Sequence, residues 1–129
     1  MKCLIVEDCE MNITIISQFL KKYSQGIRLE FAVNGKIAVK KSLEHDFDLI
    51  LMDINMPVMD GITATRHILK HGYQNPIIAI TALETDYLKE RNALSMFDHI
   101  LTKPLHLKLF FKTLDSVLCT SKVETLETC

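Results

Sequence analysis

The chain has 129 residues, the size of one ordinary domain, and 48% of them are hydrophobic, which is enough for a packed core. Its 15 basic and 16 acidic residues leave a formal net charge of −1, which argues against a dedicated nucleic-acid-binding domain, since such domains carry a strong basic excess. No apolar run approaches the length of a membrane span, and the N-terminus begins with a strand-like segment rather than a signal peptide. We therefore expect a cytoplasmic protein with no membrane or nucleic-acid partner.

Strand-like and helix-like segments alternate along the chain. In chain order, the pattern predicts strands over residues 2–6, 27–33, 48–53, 76–81 and 98–102, and helices over residues 10–24, 36–45, 61–71, 85–95 and 107–118. Asn34, Asp60 and Thr85 are candidate N-caps, and Gly72 is placed to end the third helix. Five βα units in series predict an α/β fold, with a doubly wound parallel sheet and helices on both faces. We expect one domain over residues 1–119 and a short, flexible polar tail over residues 120–129.

Polar side chains stand at the carboxyl ends of four predicted strands, which is where open α/β sheets place their chemistry. Glu7 and Asp8 follow the first strand, Asp53 ends the third, Thr81 ends the fourth and Lys103 follows the fifth. Crowded carboxylates repel one another, which favours the binding of a cation, and their oxygens suit Mg²⁺. The set predicts a site for a divalent cation and a phosphoryl group, with Asp53 as the nucleophile.

Four segments together resemble the receiver domain of two-component response regulators. They are Glu7-Asp8, residues 52–61 (Met-Asp-Ile-Asn-Met-Pro-Val-Met-Asp-Gly), Thr81-Ala82 and Lys103-Pro104. The resemblance covers residues 2–118 and implies a flavodoxin-like sheet of five parallel strands in the order 2-1-3-4-5. It implies that a histidine kinase or a histidine phosphotransferase donates the phosphoryl group. It also implies that the chain is no enzyme, beyond catalysing its own phosphorylation and dephosphorylation.

The resemblance assigns roles to individual residues. Asp53 would be the phosphoacceptor, Thr81 and Lys103 would contact the phosphoryl group, and Mg²⁺ or Mn²⁺ would be bound by Glu7, Asp8, Asp53 and the backbone carbonyl of Asn55. The peptide between Lys103 and Pro104 is expected to be cis. Phosphorylation is expected to switch a protein-interaction surface made by the fourth predicted helix, the last strand and the last helix. A homodimer through the same surface is a further expectation.

Two positions depart from the family pattern. Ile100 stands three residues before the lysine, where the family commonly has Tyr or Phe, so we do not expect a switch by ring rotation. Movement of the backbone at Thr81 and Ala82 is expected instead. Met96 stands where many members have Gly, so the turn before the last strand is expected to differ or to be strained.

The lifetime of the phosphorylated state depends on the water that hydrolyses it. Asn55 and Leu83 are the residues expected to flank the approach of that water to Asp53. Asn55 can hydrogen-bond a water and Leu83 cannot, so the sequence predicts a long-lived phosphorylated state.

Several functions remain open. A receiver can act alone, pass the phosphoryl group onward as a phosphorelay intermediate, or be a fragment of a hybrid histidine kinase. A phosphatase of the haloacid dehalogenase type also forms an Mg²⁺-dependent aspartyl phosphate, but it needs an acid two residues after the nucleophile, where this chain has Asn55. A flavodoxin-like cofactor carrier needs a Gly/Ser/Thr-rich phosphate loop after the first strand, where this chain has the acidic segment 7–10.

Overall fold

The structure is a computed structural model that describes residues 1–82, 88, 89, 91 and 93–121. The strands are β1 (Lys2–Val6), β2 (Arg28–Ala32), β3 (Leu49–Asp53), β4 (Ile77–Thr81) and β5 (His99–Thr102). They form one sheet in the order β2-β1-β3-β4-β5 with every pair parallel, which confirms the predicted topology. The helices are α1 (Glu10–Tyr23), α2 (Gly35–Glu44), α3 (Gly61–Lys70) and α4 (Leu107–Ser121), with a short 3₁₀ helix (Leu94–Met96) before β5. None of the described helices is both long enough and apolar enough to cross a bilayer.

Helices cover both faces of the sheet, so the protein has two apolar cores. Leu4 and Val6 of β1 pack in the core beneath α2 and α3, whereas Cys3 and Ile5 pack in the core beneath α1 and α4. β3 and β4 are buried at every position, as strands in the middle of a parallel sheet must be. Because a one-residue slip would exchange the two faces, this alternation fixes the register that brings the strand ends to one edge.

Local sequence sets three helix boundaries. Asn34 Oδ1 accepts a hydrogen bond from Ile37 N–H at 2.9 Å, and Asp60 Oδ1 accepts one from Thr63 N–H at 2.9 Å, so both residues are N-caps as predicted. Gly72 follows α3 with a φ of +97°, a left-handed conformation that favours glycine.

The predictions and the structure differ mainly towards the C-terminus. α4 continues to Ser121 rather than ending at 118, because apolar periodicity marks only the part of a helix that packs on the core. Met96 ends a 3₁₀ helix, and its φ is not positive, so the expected strain is absent there. Residues 85–87, 90 and 92 of the helix predicted over residues 85–95, with Thr85 as its cap, lie outside the described residues, as do residues 122–129 of the predicted tail. Residues 94 and 95 of that prediction belong to the 3₁₀ helix instead. The division into a domain and a tail stays a prediction.

β2 is an edge strand and pairs only with β1 in the described sheet. The Lys41 ammonium of α2 donates a hydrogen bond to the Phe31 carbonyl at 2.7 Å and lies 3.3 Å from Glu30 Oε1. The open side of β2 therefore carries an ion pair between Lys41 and Glu30.

Candidate functional site

Three carboxylates meet at the carboxyl edge of the neighbouring strands β1 and β3. One oxygen atom from each of Glu7, Asp8 and Asp53 lies within 4.8 Å of the other two. Glu7 and Asp53 are 1% and 3% exposed, whereas Asp8 is exposed. The cluster is therefore buried at Glu7 and Asp53 and accessible to solvent or a small ion at Asp8.

Two backbone amides and one ammonium group hold the buried carboxylates. Cys9 N–H donates to Glu7 Oε2 at 3.2 Å, and Asn55 N–H donates to Asp53 Oδ1 at 3.3 Å. Lys103 Nζ lies 3.1 Å from Glu7 Oε1 and 3.5 Å from Asp53 Oδ2. The first of these ion pairs lacks hydrogen-bond geometry, so Glu7 Oε1 is a buried oxygen that accepts no hydrogen bond from any described residue.

The site fits Mg²⁺. It presents three carboxylates to a single ammonium, and one buried carboxylate oxygen has no hydrogen-bond donor among the described residues. A hard cation with oxygen ligands is the group that such a donor set binds.

Burial and mutual repulsion govern the charges in the cluster. Burial, followed by the charge of Glu7, raises the pKa of Asp53 to about 7, although Lys103 and the Asn55 amide act in the opposite direction. Burial alone would lower the pKa of Lys103, but the Asp53 and Glu7 carboxylates outweigh it and raise that pKa. Additional positive charge in the site would therefore lower the pKa of Asp53 and favour its ionised form, which a nucleophile needs.

The remaining site residues lie at the ends of β4 and β5. Thr81 is buried at the end of β4, and its carbonyl accepts a hydrogen bond from Lys103 N–H at 2.8 Å. The Lys103–Pro104 peptide is cis, as the resemblance implied. The two strand ends are thus joined directly beside the carboxylates.

The expected switch residues fall partly within the described chain. Ile100 is partly buried and packs against the core beneath α2 and α3, and Ala82 is exposed. Leu83, and with it the expectation about the hydrolytic water, lies outside the described residues.

Two features of the loop after β3 were missed by the sequence reasoning. Val58 has a φ of +70°, and Met59 N–H donates to the Pro57 carbonyl at 2.7 Å across it, which closes a three-residue turn. Gly35 N–H, at the start of α2, donates to the Met59 carbonyl at 3.2 Å. Residues 34–35, Asn-Gly, mark a turn in the sequence, but no pattern points from that turn to the loop after β3.

Comparison with known proteins decides the family. The family model described as the response regulator receiver domain matches residues 3–115. The chain belongs to the response regulator receiver domain family. This receiver domain is accordingly a module of two-component and phosphorelay signalling.

Receiver domains of much longer kinases are among its relatives. It is 43% identical over 111 residues to hybrid signal transduction histidine kinase G of Dictyostelium discoideum, a match that covers 84% of this chain and 3% of that protein. It is 39% identical over 108 residues to the autoinducer 2 sensor kinase/phosphatase LuxQ of Vibrio vulnificus strain YJ016, covering 81% of this chain and 12% of that protein. The chain thus spans only a small part of the curated relatives it matches.

A solved structure of similar sequence comes from Pseudomonas aeruginosa PAO1. It is the receiver domain of sensor histidine kinase PA1611, which is 32% identical with a TM-score of 0.80 over 91% of this chain and 96% of that chain. That receiver domain was crystallised with a magnesium ion coordinated in its active site cleft.

Proposed function

We propose that this receiver domain accepts a phosphoryl group on Asp53 from a phosphohistidine donor in the presence of Mg²⁺ or Mn²⁺. The observation that carries the proposal is the cluster of Glu7, Asp8 and Asp53, with Lys103 Nζ 3.5 Å from Asp53 Oδ2. Asp53 would thus lie between a bound cation and the Lys103 ammonium. Both positive charges would stabilise the negative charge that accumulates on the phosphoryl oxygens during transfer.

Each residue has a defined part in the transfer. An Asp53 oxygen attacks phosphorus, the bond from phosphorus to the donor's histidine nitrogen breaks, and the imidazole leaves with the electron pair. Glu7, Asp8, Asp53 and the Asn55 carbonyl would hold the metal, which when bound supplies positive charge to the phosphoryl oxygens. Lys103 and Thr81 would contact the same oxygens.

The donor would be a histidine kinase or a histidine phosphotransferase. Because Asp53 is 3% exposed, a donor imidazole reaches it only when the donor protein lies against the surrounding loops. Met11 and Ile15 of α1 are 72% and 37% exposed beside this edge. A cavity of about 100 Å³ next to them is lined by Asn12, Ile15, Ile16, Lys103, Pro104 and Leu105. An exposed apolar surface beside the nucleophile suits contact with another protein.

The phosphorylated form would act through protein contact, with no separate substrate turned over. The switched surface would include β5 and α4, and a homodimer through that surface is part of the proposal.

The similarity to hybrid kinases is equally compatible with a relay intermediate or with a receiver that is one part of a hybrid kinase. A phosphatase of the haloacid dehalogenase type is disfavoured because Asn55 occupies the position of its acid. A cytoplasmic location stays a prediction.

The test is labelling by acetyl phosphate, followed by intact mass. The parent should gain one phosphoryl group with Mg²⁺ and none in excess EDTA. Asp53→Asn should gain none, whereas Asp46→Asn, which changes an exposed aspartate outside the cluster, should behave as the parent. Stoichiometric labelling of Asp53→Asn, or of the parent without a divalent cation, would refute the assignment.

A further inference from the structure

The chain between Asp53 and α3 is pinned at its far end by a glycine that has no room for a side chain. Gly61 lies so close to the Asp53 carbonyl oxygen that a Cβ atom would collide with it. Gly61 N–H also donates to the Ile54 carbonyl at 3.0 Å. The first residue of α3 therefore rests directly on the backbone of the nucleophile.

A second glycine pins the middle of the same loop from another βα unit. A Cβ atom on Gly35, at the start of α2, would lie 2.5 Å from the Met59 carbonyl oxygen and 2.9 Å from Ala64 Cβ. Real Cβ atoms do not approach a backbone oxygen so closely, so any other residue at this position would force the loop or the start of α2 to shift. The contact is also bonded, since Gly35 N–H donates to that carbonyl at 3.2 Å.

The loop needs such support because it contains an unfavourable conformation. Val58 is β-branched and has a φ of +70°, which L residues with branched side chains rarely adopt. Its side chain is 77% exposed, so packing within the chain does not offset the strain. Two hydrogen bonds hold the turn. One spans Val58, from Met59 N–H to the Pro57 carbonyl, and the other runs from Gly35 N–H to the Met59 carbonyl.

We propose that Gly35 is a positioning residue for the phosphoacceptor site. By holding the Met59 carbonyl in a space that no side chain can share, it fixes the course of the chain from Asn55 to Met59. The Asn55 carbonyl, which is to bind the metal, lies between that anchor and the hydrogen bond from Asn55 N–H to Asp53. This inference rests on the proposed function of Asp53 and Asn55.

The experiment compares Gly35→Ala with Gly26→Ala, because a Cβ on Gly26 meets nothing within 4 Å. Mg²⁺ is titrated into each folded, ¹⁵N-labelled protein, and the rate of labelling by acetyl phosphate is measured at low and at saturating Mg²⁺. Gly35→Ala should raise the Mg²⁺ dissociation constant about tenfold, the typical effect of losing support around a metal ligand. Its labelling rate should recover at saturating Mg²⁺, and Gly26→Ala should match the parent throughout. Loss of stability alone would not change the affinity of the folded fraction.

A double variant covers the case in which Gly35→Ala does not fold. Gly35→Ala with Ala64→Gly removes the clash with the Ala64 side chain and leaves only the one with the Met59 carbonyl, and Ala64→Gly alone is its control. Parent-like Mg²⁺ affinity in a folded variant carrying Gly35→Ala overturns the inference. Failure of both to fold also overturns it, because Gly35 would then serve the fold and not the loop. A parent that binds no Mg²⁺ and takes no phosphoryl group would instead refute the proposed function, and this inference with it.

Discussion

Asp53 shows how strongly one residue depends on neighbours that are distant in sequence. It lies at the end of a buried strand, and Glu7 of the adjacent β1–α1 loop raises its pKa further. Lys103, from the opposite end of the chain, reaches both carboxylates. The charge state of Asp53 is therefore determined by three segments of the chain.

Asp53→Asn should stabilise the metal-free protein, and more at pH 8 than at pH 5. The folded pKa of Asp53, about 7, is above its ordinary value of 3.8, so the stability that this group contributes is fully present only below pH 3.8 and is lost progressively as the pH rises to about 7. An amide does not ionise, so at pH 8 the variant should gain on the order of 2 kcal/mol in free energy of unfolding. Urea unfolding in EDTA measures this, with Asp46→Asn as the control. An equal gain at both pH values would contradict the argument.

The positions of the site residues could be predicted from sequence, but the contacts between them could not. Glu7, Asp53 and Lys103 follow apolar runs, and parallel strands bring their carboxyl ends to one edge. Whether Lys103 pairs with Glu7 or with Asp53 depends on side-chain rotamers, which no periodicity encodes. The need for glycine at position 35 could not be predicted for a similar reason, because the atom that leaves no room for a side chain is a carbonyl oxygen of another βα unit.

At the scale of elements, apolar patterning predicted the bounds of fully buried elements well and predicted the ends of partly exposed elements less well. β3 and β4 are continuously apolar and were predicted to within one residue. α4 extends beyond the end of its apolar pattern at residue 118 and reaches Ser121. α3 begins where Asp60 caps it, a signal that is entirely local.

Asp60→Ala should lower the free energy of unfolding by about 1 kcal/mol, the usual cost of losing an N-cap. The Asp60 carboxylate accepts from both the N–H and the hydroxyl of Thr63, at 2.9 and 3.2 Å, and an alanine accepts neither hydrogen bond. Asp60→Asn retains a side-chain acceptor and should lose much less. Urea unfolding followed by far-UV circular dichroism separates the two variants. Equal losses in both would show that charge, and not capping, is what Asp60 supplies.

For the whole molecule, Lys103 connects the charge of the site to the end of the sheet. Its ammonium faces the carboxylates, while its backbone N–H donates to the Thr81 carbonyl at 2.8 Å and so joins β4 to the chain after β5. Ile100 of β5 is partly buried against the core. A shift of Lys103 towards a new phosphoryl group would therefore displace the ends of β4 and β5.

Beryllofluoride, which mimics the phosphoryl group, should shift the population of conformers at the ends of β4 and β5 in the presence of Mg²⁺. We expect changes in the amide resonances of Ala82 and residues 99–103. Lys103→Ala should lose most of these changes, because the ammonium that registers the new charge is gone. Lys41→Ala, which changes an α2 lysine that contacts the edge strand β2, should retain them. Identical changes in Lys103→Ala and the parent would exclude Lys103 as the connection.

Lys41 of α2, which contacts the edge strand β2, bears on association between copies of the protein. An open strand edge is a template on which another chain can add a strand, and Phe31 on β2 is 39% exposed, which would favour such growth. An incoming strand would have to displace the Lys41 ammonium from the Phe31 carbonyl and disturb its ion pair with Glu30. Because Lys41 acts at β2 and the carboxylate cluster lies at the carboxyl ends of β1 and β3, this obstacle to edge-to-edge association does not involve the cluster.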